Sequence, residues 1–154
     1  MPGSFLLDQR LLPALPGTYA LVLRLDRSVV LVAGRLAPAT LHPGLFVYVG
    51  SARGPGGLRG RVSRHLRADK RAHWHIDALT ALVPVTRVWM VESAERRECL
   101  WAGALRALPD VSVPIAGFGA SDCACDAHLL ALPPSGMVAA WAALGCPAEF
   151  ILSP

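Results

Sequence analysis

Arg61 and His65 lie four residues apart, just after a glycine-rich turn, in a stretch that could bind an anion and move a proton. The preceding segment, Phe46 to Val49, is aromatic or β-branched and predicts a half-buried strand that carries Tyr48. From Leu58 onward, apolar residues recur at every fourth position, which predicts a helix with Arg61 and His65 on its flank. A guanidinium and an imidazole therefore meet the exit of the strand, and we place the active site at this junction.

Glu98 is the second feature with chemical potential. A helix is predicted from Ala94 to about Leu108, with Ser93 as its cap, and Glu98 lies in the middle of an apolar face that also holds Trp101 and Leu105. Carboxylates are rarely buried unless they are paired with a cation or bound to a metal. We therefore expect a cation beside Glu98; the alternative is a structural salt bridge with an arginine.

Positive charge is concentrated between Arg53 and Arg71. This segment holds seven Arg or Lys residues against one acid, so it carries +6, whereas the rest of the chain carries −2. Such a patch suits the phosphate backbone of a nucleic acid or another polyanion. The side chains that we expect to bind nucleic acid are Arg53, Arg59, Arg64, Arg67, Lys70, Arg71, His73 and Trp74, and the tryptophan could stack on an unpaired base.

The elements that must position these side chains follow from periodicity and from breaks at glycine and proline. Thr18 to Leu25 alternates, with Tyr19 near its start, and we expect this strand to form a hairpin with Val29 to Ala33. Three short strands are predicted before the basic helix. The later predicted elements are a helix from about Arg71 to Leu82, a strand from Val85 to Val91, the Glu98 helix, an ordered loop within Ile115 to Leu130 and a final helix within Ser135 to Gly145.

Length and composition limit the possible classes of protein. A chain of 154 residues is large enough to form one domain with its own core. No apolar run approaches the ~20 residues that a membrane-spanning helix needs, and the first residues do not resemble a secretory signal, so we expect a cytoplasmic protein without a membrane partner. The four cysteines show no CxxC spacing, and we expect buried free thiols and no disulfides.

The ordered set Gly17-Thr18-Tyr19, Tyr48-Val49-Gly50, Arg61, His65 and Glu98 resembles the GIY-YIG nuclease superfamily. The match covers roughly residues 16–108. The segments His73-Trp74-His75-Ile76-Asp77 and Gly117-Phe118-Gly119-Ala120-Ser121-Asp122-Cys123 are similar to those of one small prokaryotic branch, sometimes fused to DNA-repair enzymes. The resemblance implies an α/β (α+β) domain with a small, mainly antiparallel sheet flanked by helices, with a core at 16–108 and a C-terminal extension at 109–154.

The resemblance also implies a metal-dependent endonuclease that hydrolyses phosphodiester bonds in DNA, in repair or processing. Glu98 would bind Mg²⁺ or Mn²⁺, and water would complete the metal's shell. Arg61 would hold the scissile phosphate, and Tyr19 would take a proton from the attacking water, with Tyr48 and His65 positioning or sharing that proton. A free phenol has a pKa of about 10, so Tyr19 needs a nearby cation. The implied partners are DNA, with RNA as the alternative, and a DNA-repair protein.

Two other functions stay open at this stage. Many active members of the superfamily carry a late asparagine, and this chain contains none, which favours a catalytically inactive nucleic-acid-binding module of the same fold. A zinc-stabilised interaction domain is the second alternative, although a CxC pair followed by histidine is an atypical zinc spacing. Its candidate ligands are His73, His75, Cys123, Cys125 and His128, and the spacing favours a structural cluster or a substrate-contacting loop over zinc.

Overall fold

The computed structural model describes residues 8–71 and 74–152, and His73 lies outside this part of the chain. A short 3-10 helix, Gln9–Leu11, precedes the main elements. The strands are β1 (Gly17–Leu25), β2 (Val29–Leu31), β3 (Ala39–Leu41), β4 (Gly44–Ala52), β5 (Val85–Glu92), β6 (Leu129–Leu132) and β7 (Ala148–Ile151). The helices are α1 (Gly57–Leu66), α2 (His75–Thr80), α3 (Glu98–Arg106) and α4 (Met137–Ala143).

The main sheet has five antiparallel strands in the order β6-β4-β1-β5-β7, and β2 and β3 form a separate two-stranded sheet. This confirms the predicted α+β class with a mainly antiparallel sheet. Because β6 and β7 follow residue 108, the last third of the chain supplies both edge strands of the main sheet.

Helices cover both faces of the main sheet, and side-chain alternation along β1 assigns each residue to one face. Tyr19, Leu21 and Leu23 belong to a buried cluster with residues of α1 and α2. Ala20 and Val22 face the opposite side, where they join a cluster with residues of α3 and α4. β1 is therefore the central strand and is buried on both faces, as its nearly continuous apolar sequence requires.

The predicted hairpin between the first two strands is wrong. β1 pairs with β4 along its full length, from Gly17 opposite Ala52 to Leu25 opposite Gly44, and its other edge pairs with β5. β2 has three residues and pairs with β3, which the sequence analysis did not predict. A nine-residue strand buried on both faces needs long neighbours on both edges, and a three-residue strand cannot satisfy its backbone groups.

Two helices begin later than predicted, and side-chain hydrogen bonds hold residues that precede each of them. Arg53 donates hydrogen bonds to the carbonyl oxygens of Ser93 and Ala94, and α3 begins only at Glu98. Ser93 accepts the backbone N–H of Glu95 and thus stabilises a turn, not the helix start. α2 begins at His75 instead of about Arg71.

Asp77 stabilises the start of α2 by accepting the Trp74 backbone N–H in a capping box.

Within residues 8–71 and 74–152, none of the helices combines the length and the apolar character that crossing a lipid bilayer requires.

Candidate active site

The two tyrosines stand on neighbouring strands and on the same face of the sheet. In the β1–β4 pair, Tyr19 lies opposite Gly50, and Tyr48 lies opposite Leu21. The Tyr19 ring lies over Gly50, because a Cβ built on this glycine would stand only 2.6 Å from Tyr19 Cζ. Gly50 is therefore needed for steric reasons: any side chain at this position would displace the phenol.

Helix α1 carries the next two groups onto the same face. Leu58 and Val62 are fully buried against the sheet, which orients the helix so that Arg61 and His65 point toward the strands. His65 is buried, and its Nε2 lies 2.6 Å from the Tyr19 hydroxyl. This distance is a strong hydrogen bond between the phenol and the imidazole. The other ring nitrogen of His65 is buried without a hydrogen-bond partner among the described residues.

An open cleft of about 990 Å³ brings the predicted catalytic side chains together. All five line it, namely Tyr19, Tyr48, Arg61, His65 and Glu98. Trp74 and Arg53, which the sequence analysis assigned to nucleic-acid binding, line the same cleft. The cleft also receives two charged residues that the sequence analysis missed, Arg35 and Arg96, which come from loops whose folding no local pattern indicates. Asp122, from the segment 117–123 that carries part of the resemblance, lines the cleft as well.

Burial in the cleft favours the neutral forms of Tyr19, Tyr48 and His65. Burial, followed by the neighbouring Tyr48 phenol, raises the pKa of Tyr19 well above 10, and the Arg61 guanidinium opposes this shift. Burial and then Glu98 raise the pKa of Tyr48 above its ordinary value. Burial and then Arg61 lower the pKa of His65 to about 3. Neither phenol is thus ionised at neutral pH, and His65 is an uncharged imidazole that can exchange a proton with Tyr19.

The low pKa of His65 predicts that acid destabilises the fold. Between pH 6.5 and about 3, the unfolded chain binds a proton at His65 that the folded chain does not bind. Above pH 6.5, His65 does not lower the free energy of unfolding. Below pH 6.5, the free energy of unfolding falls by at most about 1.4 kcal/mol per pH unit because of His65. Urea unfolding from about pH 7 to about pH 4.5 measures the loss.

His65→Gln tests this prediction, and His42→Gln is its matched control. His65→Gln should unfold with a shallower dependence on pH than the wild type, whereas a change at the exposed His42 should leave the dependence intact. The buried His128 also has a lowered pKa, but it is common to all three proteins and cancels in the comparison. Equal pH dependence in the wild type and His65→Gln would contradict a neutral, buried His65.

Glu98 is the first residue of α3, where its side chain reaches the cleft and is 21% exposed. It stands at the edge of the predicted apolar face: Trp101 and Leu105 are buried as expected, but Ala94 is exposed in the loop. Two nitrogens lie at the limit of ion pairing, Arg96 Nη1 at 3.9 Å from Oε1 and His128 Nδ1 at 4.0 Å from Oε2. The carboxylate oxygens fit a hard divalent cation, which often takes one or two carboxylates and several waters.

Two of the side chains predicted to bind nucleic acid also form hydrogen bonds within the protein. Arg59 donates to the carbonyl oxygens of Leu12 and Arg10, and Lys70 donates to those of His65 and Arg67. Arg59 and Lys70 therefore stabilise the backbone around α1 and also contribute positive charge.

Trp74 stands at the edge of the cleft, is 37% exposed and has two guanidinium groups close to its ring. Arg61 and Arg64 lie over its ring, with 4.6 Å and 4.3 Å from Cζ to the ring centroid, which are cation–π distances. Arg67 and Arg71 are exposed at the end of this basic surface.

We expect Arg64, one of the side chains that the sequence assigned to nucleic-acid binding, to have a structural role, because it forms a two-pronged ion pair with the buried Asp77. Replacing Arg64 by alanine removes the guanidinium from a carboxylate that is almost fully buried, and we expect a loss of about 3 kcal/mol in the free energy of unfolding. The exposed Arg67 is the control, and Arg67→Ala should change stability by less than about 0.5 kcal/mol. Equal stability of the two variants in urea would contradict a structural role for this pair.

A cluster of metal-ligand atoms lies next to Glu98. One ligand atom from each of Cys99, Cys123, Cys125 and His128 falls within 4.8 Å of the others, and this group could hold a metal ion. The predicted zinc set was therefore partly wrong: it omitted Cys99, and it included His75, which instead accepts the Gly119 backbone N–H at Nδ1. Cys99 lies 24 residues before Cys123 in the sequence, and no local spacing links the two.

All four cysteines are free thiols, as predicted, but they are not fully buried. Cys99 and Cys146 are exposed, and Cys123 and Cys125 are half-buried. Partial burial, followed by the neighbouring thiols of Cys99 and Cys123, raises the pKa of the Cys125 thiol to about 12. The thiols therefore crowd one another at an accessible position, which differs from the expected inert core cysteines.

The fold and the cleft define an α+β protein with a sheet covered on both faces and a tyrosine–histidine–arginine–glutamate cleft along one of them. The chain belongs to the DUF123 family, described as a domain of unknown function, whose model matches residues 18–144. This range includes the five cleft side chains and the cysteine–histidine cluster. Neither the search of curated proteins nor that of solved structures gave a match to the chain.

Proposed function

We propose that this protein is a metal-dependent endonuclease of the GIY-YIG type that hydrolyses phosphodiester bonds in DNA, in repair or processing. The observation that carries the proposal is the convergence of five side chains from β1, β4, α1 and α3 on one open cleft, with Tyr19 hydrogen-bonded to His65. These groups supply phosphate binding, proton transfer and a metal-binding carboxylate. Phosphodiester hydrolysis needs each of these functions.

Arg61 is the proposed phosphate ligand. Its guanidinium faces the cleft beside Tyr19, and the Trp74 ring holds its orientation. Among the described residues, no carboxylate forms an ion pair with Arg61, so its charge is available to a phosphate. Arg35, Arg53 and Arg96 line the same cleft and make its potential positive, which attracts a polyanion. A DNA backbone would thus be drawn in, and the scissile phosphate would pair with Arg61.

Tyr19 and His65 form the proposed proton relay. The phenol can accept a proton from the attacking water while it passes its own proton to His65 Nε2, 2.6 Å away. In the free protein, burial and Arg61 oppose a charged His65. A bound phosphodiester brings a negative charge next to Arg61, which reduces this opposition and links proton transfer to substrate binding.

Glu98 would hold the divalent cation, Mg²⁺ or Mn²⁺, with Asp122 as a second acid on the cleft. When bound, the ion supplies Lewis-acid stabilisation of the phosphoryl oxygens. Tyr48 packs edge-on against both His65 and Phe118, with ring centroids 6.3 Å and 6.1 Å apart, and so holds the imidazole in line with Tyr19. Trp74 offers a face for an unpaired base at the edge of the cleft.

A catalytically inactive nucleic-acid-binding module remains the rival function. The lack of any asparagine favours it, and so does the strong retention of the proton by Tyr19 in the free protein. Both functions predict binding to nucleic acid that weakens with salt, through release of counterions from the phosphates. Only the nuclease predicts cleavage.

The test is cleavage of a labelled panel of single-stranded, duplex and branched DNA, with matched RNAs, in Mg²⁺, in Mn²⁺ or in EDTA. We expect cutting of at least one DNA in the presence of metal and none in EDTA. Binding to the panel without cutting in either metal would contradict the nuclease and support the binding module. Cutting of RNA alone would contradict the choice of DNA.

A further inference from the structure

The group of Cys99, Cys123, Cys125 and His128 has the composition of a structural zinc site. Cys99 is the second residue of α3, Cys123 and Cys125 lie in the loop before β6, and His128 immediately precedes that strand. Three thiols and one imidazole therefore come together from segments 24 residues apart in the sequence. Cys3His is one of the ligand sets of structural zinc.

The distances within the group fit tetrahedral coordination. Zn–S bonds of ~2.3 Å and Zn–N bonds of ~2.0–2.1 Å, at the tetrahedral angle, place S and N about 3.6 Å apart. His128 Nε2 lies 3.4 Å from Cys123 Sγ and 3.8 Å from Cys99 Sγ. All four ligand atoms lie within 4.8 Å of one another, so little movement would complete the site. Soft thiolates select zinc over Mg²⁺ or Mn²⁺, which prefer oxygen ligands.

The surroundings of His128 also match those of a metal ligand. Its side chain is 4% exposed, with Nε2 close to the thiols of Cys99 and Cys123 and Nδ1 on the side of Glu98, 4.0 Å from Oε2. This separation is an approach and not a hydrogen bond. Metal-binding histidines often donate the free ring N–H to a carboxylate, which fixes the ring and raises its basicity. Glu98 occupies the position that such a carboxylate needs.

We propose that Cys99, Cys123, Cys125 and His128 bind one zinc ion, that Glu98 positions His128, and that this ion fastens the 119–128 loop to the start of α3. Binding replaces three S–H bonds by three Zn–S bonds, adds one Zn–N bond and releases three protons to the solvent. A smaller open cleft of about 250 Å³ reaches the cluster beside Glu98 and gives the ion an entry path. Four protein ligands leave no open position, so the site is structural.

The zinc site would fix one wall of the larger cleft. Gly119, in the fastened loop, donates its N–H to His75 Nδ1 at 3.0 Å, and a Cβ on it would stand 2.9 Å from Tyr48 Cε1. The same loop contributes Asp122 to the cleft. Zinc would therefore stabilise the fold and the cleft whether or not the cleft cuts DNA, and the proposal is independent of nuclease activity.

The test is the zinc content of the full chain, measured by elemental mass spectrometry after growth with added zinc and purification without chelator. We expect about one zinc ion per chain for the wild type and for the control Cys146→Ser, whose cysteine lies outside the cluster. Cys123→Ser should lose at least nine-tenths of the metal. Glu98→Ala should keep the four ligands but bind zinc about 10- to 100-fold more weakly.

Cobalt substitution of the wild type reports the coordination of the metal even if Cys123→Ser does not fold. Co²⁺ in place of zinc should give a thiolate-to-cobalt charge-transfer band and the strong visible bands of tetrahedral coordination. Removing zinc should lower the melting temperature, and Zn²⁺ but not Mg²⁺ should restore it. A wild-type chain that holds no zinc and gives weak, octahedral cobalt bands would overturn the proposal.

Discussion

Arg61→Ala is expected to lower the single-turnover rate of DNA cleavage by about 10³-fold, with a much smaller effect on DNA affinity. Removing one preorganised donor from a developing oxyanion costs about 10²–10³ in rate, and Arg61 also carries the cationic charge beside Tyr19. Affinity should fall little, because Arg35, Arg53 and Arg96 still line the cleft. Arg64 still lies over the Trp74 ring, 4.3 Å from its centroid, and keeps that side chain in place.

Arg67→Ala is the matched control, because Arg67 is exposed and is not among the residues that line the cleft. It should weaken DNA binding slightly, reduce the salt dependence of binding and leave the single-turnover rate within about threefold of the wild type. Single-turnover kinetics with enzyme in excess separate the two effects. An Arg61→Ala enzyme that cuts within tenfold of the wild type would contradict a direct phosphate contact.

Tyr19→Phe is expected to have the second-largest effect, a loss of about 10²–10³-fold in the cleavage rate. The substitution keeps the buried ring but removes the hydroxyl that bonds to His65 Nε2. His65 Nδ1 is already buried without a hydrogen-bond partner in the described chain, so the variant leaves the whole imidazole unsatisfied. We therefore also expect a loss of about 1–3 kcal/mol in the free energy of unfolding.

Tyr48→Phe separates the relay from simple packing. Tyr48 shares the face and the cleft with Tyr19 and contacts the His65 ring edge-on, but its hydroxyl is not the group bonded to Nε2. We expect its cleavage rate to fall by less than that of Tyr19→Phe, when both are measured below their melting temperatures. If Tyr19→Phe cuts as fast as Tyr48→Phe, the tyrosine–histidine relay is wrong.

The side chains on the central strand could be predicted from the sequence, but its neighbours could not. Alternation from Thr18 to Leu25 puts Tyr19 on one face with the leucines, and these residues do share one buried cluster. Val85 to Val91 was correctly predicted as a strand. The choice of pairing partner depends on long-range burial. Because β1 is buried on both faces, its long neighbours β4 and β5 take the places next to it, and the short β2 pairs elsewhere.

The candidate metal site shows a different limit. Cys123, Cys125 and His128 were visible as a local group, but Cys99 joins them only because the later loop folds back onto the start of α3. The sequence predicted a helix from Ala94, which puts Cys99 in the helix interior and not in its first turn. Arg53 holds the carbonyl oxygens of Ser93 and Ala94, which delays the helix until Glu98 and brings Cys99 to its first turn. No spacing within one segment indicates a contact of this kind.

Glu98→Gln tests whether Glu98 makes the cleft a metal-dependent catalytic centre. The amide keeps an oxygen that can accept from His128 but loses the negative charge that would bind Mg²⁺ or Mn²⁺. Glu95→Gln, three residues earlier and exposed, is the control. We expect metal-dependent cutting by the wild type and Glu95→Gln, and about a 10³-fold slower rate for a folded Glu98→Gln. Cutting by Glu98→Gln within tenfold of the wild type, or cutting by the wild type in EDTA, would show that Glu98 does not hold a catalytic metal ion.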